Sequence, residues 1–567
     1  MAAQWEVVGG ESTGGLLCRQ GRDLKSVELR RLARGSVVEQ LELAGDRLHF
    51  KLLSGDGPPM GWISVRVKGR DVAVRRAAAA APEAPLYDLV AEPCAPEHLD
   101  LGPCAPPEER PYGIVVYGAT GFSGQLAVQH LDALLGKDGA TKHKWAVAGR
   151  SAERLEAVRK LCKTEVDVIV ATTEEEVHAM VGKCRVIISA VGPHSRWGEP
   201  VIRACVAFGT HYADIAGETW WLKRMITRYD AEARRRGVAL VIMCAQQATV
   251  ADTAANMLVR KLGPLRQLRG YVLQLAFTTG GTDANGRFTM EVLTRQPEIF
   301  ADTRDPFAIG GLRRGEARDV DQDCSSVEKD PLFPKFWLGP LGCAQQDARA
   351  IRRSCELFEE GRAGRELRYG DDLAVVFREP STSKPAAERL MQQFGPLPSA
   401  ELAKPALEGM QAAVLTGQSP PPGQGPPLKA REMFHVDYVV VAEGESGDWA
   451  TCRYHGGDPY EVTSMCAAVG ALTLLEEAEA VRPQECGGFL TPAYAFAGTS
   501  FLERLQRDPW ARRQRSASAK WEVQDGKATQ EEIMALWVGR TKGYAALTPS
   551  LQNGTVKQWA LPDYSSV

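Results

Sequence analysis

The sequence predicts an α/β protein that is built around a doubly wound parallel sheet. Strand-like runs alternate with helical patterns from residue 111 to about 250, and glycines spaced by three follow the first of these runs. We divide the 567 residues into a small β-barrel-like domain (1–76), a Pro/Ala-rich linker (77–110), a parallel α/β domain (111–250), a second α+β domain (251–510) and a C-terminal tail (511–567).

The first 76 residues contain short strand-like runs that glycines separate, which is typical of a small antiparallel barrel. Residues 61–64 resemble the corresponding strand of SH3-like barrels, so we expect a small SH3-like all-β domain with Trp62 in its core. A protein partner is one interpretation of such a domain. An alanine run and scattered prolines then indicate the linker.

A short apolar strand at residues 114–117 runs directly into three spaced glycines. Gly118 allows a tight turn, Gly121 removes the Cβ that would keep a pyrophosphate off the backbone, and Gly124 lets the next helix lie close to the sheet. The helix N-terminus offers free N–H groups to phosphates. We therefore predict that a dinucleotide binds here, although glycine-rich turns with a purely structural role are also common in α/β proteins. The predicted contact residues are Gly118, Ala119, Thr120, Gly121, Phe122, Ser123 and Gly124.

The next strand, at residues 145–148, completes a strand–helix–strand unit and ends at Gly149, Arg150 and Ser151. An NAD-specific fold usually has a carboxylate here that binds the ribose 2′-hydroxyl, whereas the guanidinium of Arg150 suits a 2′-phosphate. We therefore predict a Rossmann domain that binds NADP through these three residues. The alternative for Arg150 is a solvated arginine at the start of a helix.

Further site residues are predicted at other strand ends, because ligands of such sheets lie at the carboxyl ends of the strands. Val191, Gly192 and Pro193 follow the strand at residues 186–189, and they suit either a ligand-binding loop or an ordinary turn. The candidates for catalytic residues near strand ends are Tyr212, Asp214, Glu218 and His194. A helix-capping pair is an equal explanation of the two carboxylates, and a plain loop histidine is an equal explanation of the imidazole.

Longer β-like runs at residues 271–277, 435–441 and 450–454 predict a second α+β domain. Its sheet would supply a substrate surface or a homodimer interface. The Pro/Gly-rich segment 417–427 indicates an exposed loop, and the polar tail from about residue 510 lacks a clear core pattern.

Charge and cysteine content limit the classes of partner. The formal net charge is −3 with 25% charged residues, so no strong field favours nucleic acid, and we expect a small-molecule partner. The 13 cysteines lack CxxC pairs and zinc spacing, and no signal peptide opens the sequence, which indicates free thiols, no metal and a reducing, cytoplasmic compartment. The apolar run at residues 465–475 is too short to span a membrane and predicts a buried helix.

Six spaced motifs extend the pattern beyond the glycines. They lie at residues 117–124, 145–150, 190–193 with 198–200, 212–214 with 217–218, 456–459 and 487–493. In this order they resemble the signatures of the saccharopine dehydrogenase-like oxidoreductases, a family that includes the mycobacterial trans-acting enoyl reductases. The resemblance covers residues 111 to about 510 and leaves out the N-terminal domain, the linker and the tail.

The resemblance implies an NADP-dependent oxidoreductase that reduces a C=C (enoyl) or C=N bond of a lipid-linked substrate. It also implies a role in lipid metabolism and, as for several members, a place at lipid droplets or a membrane surface. Matched by motif, residues 118–124 bind the phosphates, Arg150 binds the 2′-phosphate, and residues 191–193 lie near the nicotinamide ribose. Asp214 and Glu218 match a motif that borders the cleft.

The chain departs from the family after the sixth strand. Members often carry a Gly-Phe-Asp-Ser-x-Pro run there, whereas residues 245–250 are Ala-Gln-Gln-Ala-Thr-Val and lack that carboxylate and hydroxyl. Three functions therefore stay open: an NADP-dependent reductase, a non-catalytic NADP-binding or lipid-surface scaffold protein and, with the weakest support, a lysine-pathway saccharopine dehydrogenase.

Overall fold

The computed structural model describes residues 4–67, 69–75, 86–136, 143–312, 318–342, 344–361, 365–415, 418–481, 487–507 and 519–552. The chain divides into two compact units, Met1–Ala84 and Pro85–Val567. The smaller unit contains the predicted all-β domain, and the larger unit contains both predicted α/β regions.

The N-terminal unit is antiparallel. Its strands are β1 (Gln4–Val7), β2 (Val37–Ala44), β3 (Arg47–Ser54), β4 (Met60–Ser64), β5 (Arg66–Val67), β6 (Arg70–Asp71) and β7 (Ala73–Arg75). Five of them form a sheet in the order β4-β3-β2-β1-β7 around a core that includes Val38, Phe50 and Ile63. Trp62 is buried and its ring stacks on His49 at 4.9 Å. The prediction of a small all-β domain is confirmed.

The first half of the larger unit alternates strands and helices. In chain order these are β8 (Tyr112–Tyr117), α1 (Phe122–Leu135), β9 (Trp145–Gly149), α2 (Ala152–Arg159), β10 (Asp167–Val170), α3 (Glu174–Val181), β11 (Cys184–Ser189), α4 (His194–Trp197), α5 (Glu199–Phe208), β12 (His211–Asp214), α6 (Thr219–Arg235), β13 (Ala239–Val241) and α7 (Gln246–Leu262).

The second half is longer and more mixed. It comprises β14 (Leu265–Leu275), α8 (Gly280–Arg295), α9 (Phe300–Arg304), β15 (Glu328–Lys329), β16 (Trp337–Gly339), α10 (Ala344–Glu359), β17 (Ala374–Ser381), α11 (Lys384–Phe394), α12 (Ala403–Leu415), α13 (Leu428–Arg431), β18 (His435–Gly444), β19 (Trp449–Gly456), α14 (Pro459–Glu476), α15 (Ala478–Val481), β20 (Gly488–Leu490), α16 (Pro492–Ala495), α17 (Phe501–Arg507), β21 (Ala519–Asp525) and α18 (Gln530–Gln552).

The first sheet of the larger unit is parallel throughout, in the order β10-β9-β8-β11-β12-β13-β20. Its chain order reverses between β8 and β11, which is the arrangement of a Rossmann fold. Ile114, Val116, Val147 and Ile188 are fully buried because helices cover both faces, so the strands are continuously apolar in sequence. The predicted doubly wound sheet is confirmed.

The second sheet is mixed, in the order β15-β16-β17-β14-β18-β19-β21. Strand β14 pairs parallel with β17 and antiparallel with β18, so this region is an α+β domain as predicted. Strand β21 lies in the predicted tail but pairs with residues 450–456 of β19, and α18 packs on β14. Strand β21 has few apolar residues, such as the buried Trp521, so its sequence alone is a weak signal for a core strand. These residues become part of the core only because β21 pairs with β19.

Two segments that the sequence assigns to the second domain return to the Rossmann sheet. Strand β20 adds its seventh strand beside β13, and α14 packs along α1. Helix α14 is buried along nearly its whole length, which confirms the prediction for residues 465–475. No helix of the described residues is both long and apolar enough to cross a membrane.

The linker residues that the structure describes pack on the larger unit. The backbone N–H of Cys94 donates to the carbonyl of Arg228, and Arg110 is buried and donates to the carbonyl of Cys184 at 2.9 Å. Residues 77–85 of the predicted linker, and residue 76 before it, lie outside the described residues. The linker therefore ends in ordered chain that leads directly into β8.

Residues 245–250, where the chain departs from the family, form the irregular start of α7. Gln247 and Ala248 have non-helical backbone angles, and Ala248 has a φ of 69°. The side-chain amide of Gln246 donates to the hydroxyl of Tyr438 on β18 at 3.1 Å. The segment therefore joins the Rossmann domain to the second sheet.

Two buried carboxylates reinforce this junction. Asp347 of α10 accepts hydrogen bonds from the N–H of Ala248 at 2.8 Å and from the hydroxyl of Tyr438 at 3.0 Å. Asp252 of α7 accepts one from the hydroxyl of Ser354 at 2.6 Å. Burial raises the pKa of each carboxyl group to about 7, because hydrogen bonds replace only part of the lost hydration.

From the raised pKa values of Asp347 and Asp252 we predict that these two groups lower the free energy of unfolding as the pH rises. A carboxyl group whose pKa is higher in the folded chain binds a proton on folding, so the free energy of unfolding decreases from about pH 4 to about pH 7. In Asp347→Asn we expect this decrease to be smaller by about 1 to 3 kcal/mol, measured by chemical denaturation across that range. The control is Asp448→Asn on an exposed turn. Identical slopes for wild type and Asp347→Asn would contradict the assignment.

Candidate functional site

The glycine-rich turn lies between the end of β8 and the start of α1. Gly118 has a φ of 85°, and a Cβ there would lie 2.6 Å from the backbone of Ala190 at the end of β11. A Cβ on Gly124 would lie 2.1 Å from the carbonyl oxygen of Gly118. These two glycines are therefore required for packing of the turn against the neighbouring strand end and against the helix.

Gly121 has a different role. Its backbone is extended, with a φ of −76°, and a Cβ there would meet only the carbonyl oxygens of Gly118 at 3.3 Å and Ala190 at 4.0 Å. No side chain caps the helix that starts at Phe122, so its first N–H groups face this space. Uncapped N–H groups beside a cradle that a Cβ would fill are suited to a pyrophosphate, and the residues present thus fit a dinucleotide.

The opposite end of the turn carries two guanidinium groups. Arg150 is exposed at the end of β9 and lies over the ring of Trp197 at 5.2 Å. Arg154 of α2 donates to the carbonyl oxygen of Thr120 at 2.9 Å, and Ser151 caps the start of α2. Within the described chain, neither arginine pairs with a carboxylate, so both are available to an anion. Sequence reasoning missed Arg154, because an arginine in the first turns of a helix has no distinguishing pattern.

Part of the segment 418–427 lies against the turn. Gly423 approaches Arg154, since a Cβ there would lie 3.0 Å from its Nη2, and Gly425 approaches the ring of Phe122 in the same way, at 2.7 Å. The N–H of Gly280 donates to the carbonyl of Gln424 at 2.9 Å. Residues 418, 421 and 422 are exposed as expected, residues 420, 425 and 426 are buried against the expectation, and residue 417 lies outside the described residues. Proline and glycine content indicates turns but not what they pack against.

The loop after β11 faces the second domain. The backbone N–H of Ala190 donates to the carbonyl of Tyr117 at 2.8 Å, so the loop starts beside the glycine turn, and the Gly192–Pro193 peptide is cis. A Cβ on Gly192 would lie 3.4 Å from Oδ1 of Asn285 on α8. The structure thus brings residues 190–193 next to the phosphate turn and close to α8, a helix that no local sequence signal connected to the site.

Tyr212 and Asp214 lie at the end of β12 and are fully buried. The hydroxyl of Tyr212 donates to Asp214 at 2.9 Å, and the carboxylate also accepts the N–H of Met243 at 2.7 Å and of Ala216 at 3.1 Å. Burial raises the pKa of both side chains. This geometry fixes the turn after β12 against the chain after β13, and a catalytic role for either residue stays a prediction.

Glu218 connects two loops of the site. It precedes α6, but its carboxylate does not cap that helix; it accepts the N–H of Ser195 at 3.3 Å and of Gly217 at 3.0 Å. His194 lies beside it, with 3.9 Å between Nδ1 and the carboxylate, and its Nε2 contacts the carbonyl of Ser189 at 3.1 Å. The structure therefore groups Glu218 and His194 with residues 190–193, as the motif order implies.

Comparison with known proteins agrees with this geometry. Residues 114–241 match the model of the saccharopine dehydrogenase NADP binding domain. The chain is 29% identical over 418 residues to a trans-acting enoyl reductase of Mycobacterium ulcerans and 28% identical over 428 residues to that of Mycobacterium leprae, each alignment covering 70% of this chain and 96% of the relative. Residues 114–241 are therefore a saccharopine dehydrogenase-type NADP-binding domain, which supports an NADP-dependent oxidoreductase, and the chain is similar to trans-acting enoyl reductases over 70% of its length.

A solved structure aligns with the chain at low similarity. Apo saccharopine dehydrogenase (L-Glu forming) from Saccharomyces cerevisiae aligns with 73% of this chain and 100% of that chain, at 11% identity and a TM-score of 0.40. The family match confirms a nicotinamide dinucleotide as the cofactor, bound by an NADP-binding domain. Among the residues that the structure describes, no group of His, Cys, Asp and Glu is arranged to hold a metal ion.

Reversing the charge at Arg150 tests the 2′-phosphate contact. We expect Arg150→Asp to weaken NADPH binding by at least about tenfold and NADH binding far less, because a charge-assisted hydrogen bond is lost and repulsion is added. Fluorescence titration with each nucleotide measures both affinities. Arg159→Ala, which removes an exposed arginine paired with Glu156 on the same helix, is the control. An equal loss for NADPH and NADH would contradict the assignment.

Filling the cradle at Gly121 tests the pyrophosphate site. We expect Gly121→Val to abolish binding of both nucleotides while the chain still folds, because the added atoms meet no side chain and the φ suits valine. Calorimetric titration and thermal unfolding give the two readouts. Gly409→Val, at an exposed helical position with open space around it, is the control. Retained binding in a folded Gly121→Val variant would show that the turn is only structural.

Proposed function

We propose that this protein uses NADPH to reduce a C=C bond of an enoyl substrate, or a C=N bond, that is linked to a lipid. The observation that carries the proposal is the glycine turn that fits a pyrophosphate, in a chain whose alignment covers 96% of the M. ulcerans trans-acting enoyl reductase. That relative acts, by its name, as an enoyl reductase, and similarity along nearly its whole length supports a shared reaction.

Bound NADPH would supply the hydride, and the protein would bind, orient and shield the reacting groups. Residues 118–124 would hold the pyrophosphate, Arg150 and Arg154 would face the adenosine end, and residues 191–193 would lie beside the nicotinamide ribose. Enoyl reduction also needs a group that polarises the carbonyl and a proton source. A backbone N–H suffices for the first, and a tyrosine or water suffices for the second.

In our proposal the groups that position the cofactor site are Tyr212, Asp214 and Glu218. Each contacts backbone or a neighbouring polar group of the loops that border this site, and Asp214 already accepts three hydrogen bonds. A direct contact with substrate would require rearrangement of these hydrogen bonds. The proposal therefore assigns the proton source to water and not to these three residues.

The lipid context is also part of the proposal. A lipid-linked substrate, a role in lipid metabolism and a place at lipid droplets or a membrane surface are supported by the family resemblance alone. A homodimer through the second sheet and a protein partner for the N-terminal all-β unit are further proposals of the same standing. Flotation of the purified chain with phospholipid-coated triacylglycerol droplets would test the surface, and absence of the chain from the floating fraction would exclude it.

A second candidate is a non-catalytic NADP-binding scaffold, which one observation favours. Residues 245–250 lack the carboxylate and hydroxyl of the family run, and their backbone is held by Asp347 and their Gln246 by Tyr438. Because the N–H of Ala248 and the side-chain N–H of Gln246 are bound within the protein, this segment has fewer donors available to a substrate. Turnover separates this candidate from the reductase.

An assay of NADPH oxidation with a long-chain trans-2-enoyl thioester tests the leading proposal. We expect NADPH consumption together with the saturated thioester, identified by mass spectrometry, and no consumption with Gly121→Val. NADPH binding without product from any enoyl chain length would favour the scaffold. Oxidation that depends on an amine and aminoadipate semialdehyde would instead indicate saccharopine chemistry.

A further inference from the structure

Helix α8, which approaches the loop after β11, carries a buried hydrogen-bond acceptor without a partner among the described residues. Asn285 lies on α8, which faces the loop after β11. Thr279 caps the N-terminus of this helix. The Oδ1 of Asn285 lies 3.4 Å from the position of a Cβ on Gly192. Among the described residues this oxygen is buried and accepts no hydrogen bond.

Neighbouring polar groups of α8 have contacts within the protein. Asp283 forms an ion pair with Arg287 one turn away and accepts a hydrogen bond from the hydroxyl of Ser419 at 3.4 Å, and the hydroxyl of Thr282 lies 3.2 Å from that of Tyr460. The amide oxygen of Asn285 has no such contact with the described residues. Burial of an unsatisfied acceptor costs free energy, and a ligand that donates a hydrogen bond would recover that free energy. The orphan oxygen therefore points to a ligand that brings a donor to the loop.

The place of this oxygen in the fold identifies the donor. Gly192 follows β11, and β11 pairs with β8 at the point where the chain order of the sheet reverses. Dinucleotides bind across that point with the pyrophosphate at the first glycine turn, which leaves the nicotinamide half for the loop after β11. The nicotinamide ring carries one hydrogen-bonding substituent, a carboxamide, whose NH2 group is a donor.

We propose that Oδ1 of Asn285 accepts a hydrogen bond from the carboxamide NH2 of NADP and fixes the rotation of the nicotinamide ring. Asn285 is then a positioning residue that the second domain contributes to the cofactor site. The inference rests on the proposed function only through the use of a nicotinamide cofactor, and it is independent of the substrate.

The test compares ligands that differ by the proposed contact. Calorimetry gives the affinities of NADP, of its 3-acetylpyridine analogue, which has a methyl group in place of the NH2, and of adenosine 2′,5′-bisphosphate, which lacks the nicotinamide. We expect Asn285→Ala to weaken NADP about fivefold to tenfold and to leave the other two ligands unchanged, as for loss of one hydrogen bond. Asn285→Asp, which keeps the acceptor, should retain most of the NADP affinity.

Controls separate a local contact from a general defect. Thr294→Ala, at an exposed position later on α8, should leave all three affinities unchanged, and thermal unfolding should show that Asn285→Ala is folded. An equal loss for NADP and the acetylpyridine analogue, a loss for the bisphosphate, or no loss at all would overturn the proposal. If enoyl reduction fails but the ligand pattern holds, the substrate assignment is wrong and the role of Asn285 stands.

Discussion

The close approach of two backbone segments, at Gly118 and at Ala190, is the constraint on which the cofactor site depends. The Cβ position of Gly118 lies within 2.6 Å of Ala190, so only glycine lets the turn after β8 meet the loop after β11. This contact lies at the reversal point of the sheet, where a Rossmann fold opens its ligand crevice. Both halves of the site, the phosphate turn and the loop 190–193, are held together by it.

The second domain also contributes residues to this site. Strand β20 and helix α14 return to the Rossmann sheet, and the 418–427 segment, α8 and the start of α10 approach the cofactor loops. Asp347 and Asp252 join the same two regions through buried hydrogen bonds. The two parts of the larger unit therefore share a core, and both contribute residues around the cofactor loops.

Local patterns predicted the first half of the site well. The apolar run before Gly118, the glycine spacing and Arg150 after a second strand are all contiguous in sequence, and the structure places them together at strand ends. What sequence could not predict depends on long-range packing. Asn285 and Arg154 occupy ordinary helical positions, the 418–427 segment has loop composition whether exposed or packed, and β21 acquires its place only by pairing with β19.

The central claim is that this chain binds NADP through the turn at Gly118 and the guanidinium of Arg150. Fluorescence titration of the purified wild-type protein with NADPH and, separately, with NADH tests it most directly. The account predicts saturable binding of both, with NADPH tighter by at least about tenfold, as one charge-assisted contact to the 2′-phosphate provides. Binding of neither nucleotide, or equal affinity for the two, would contradict it.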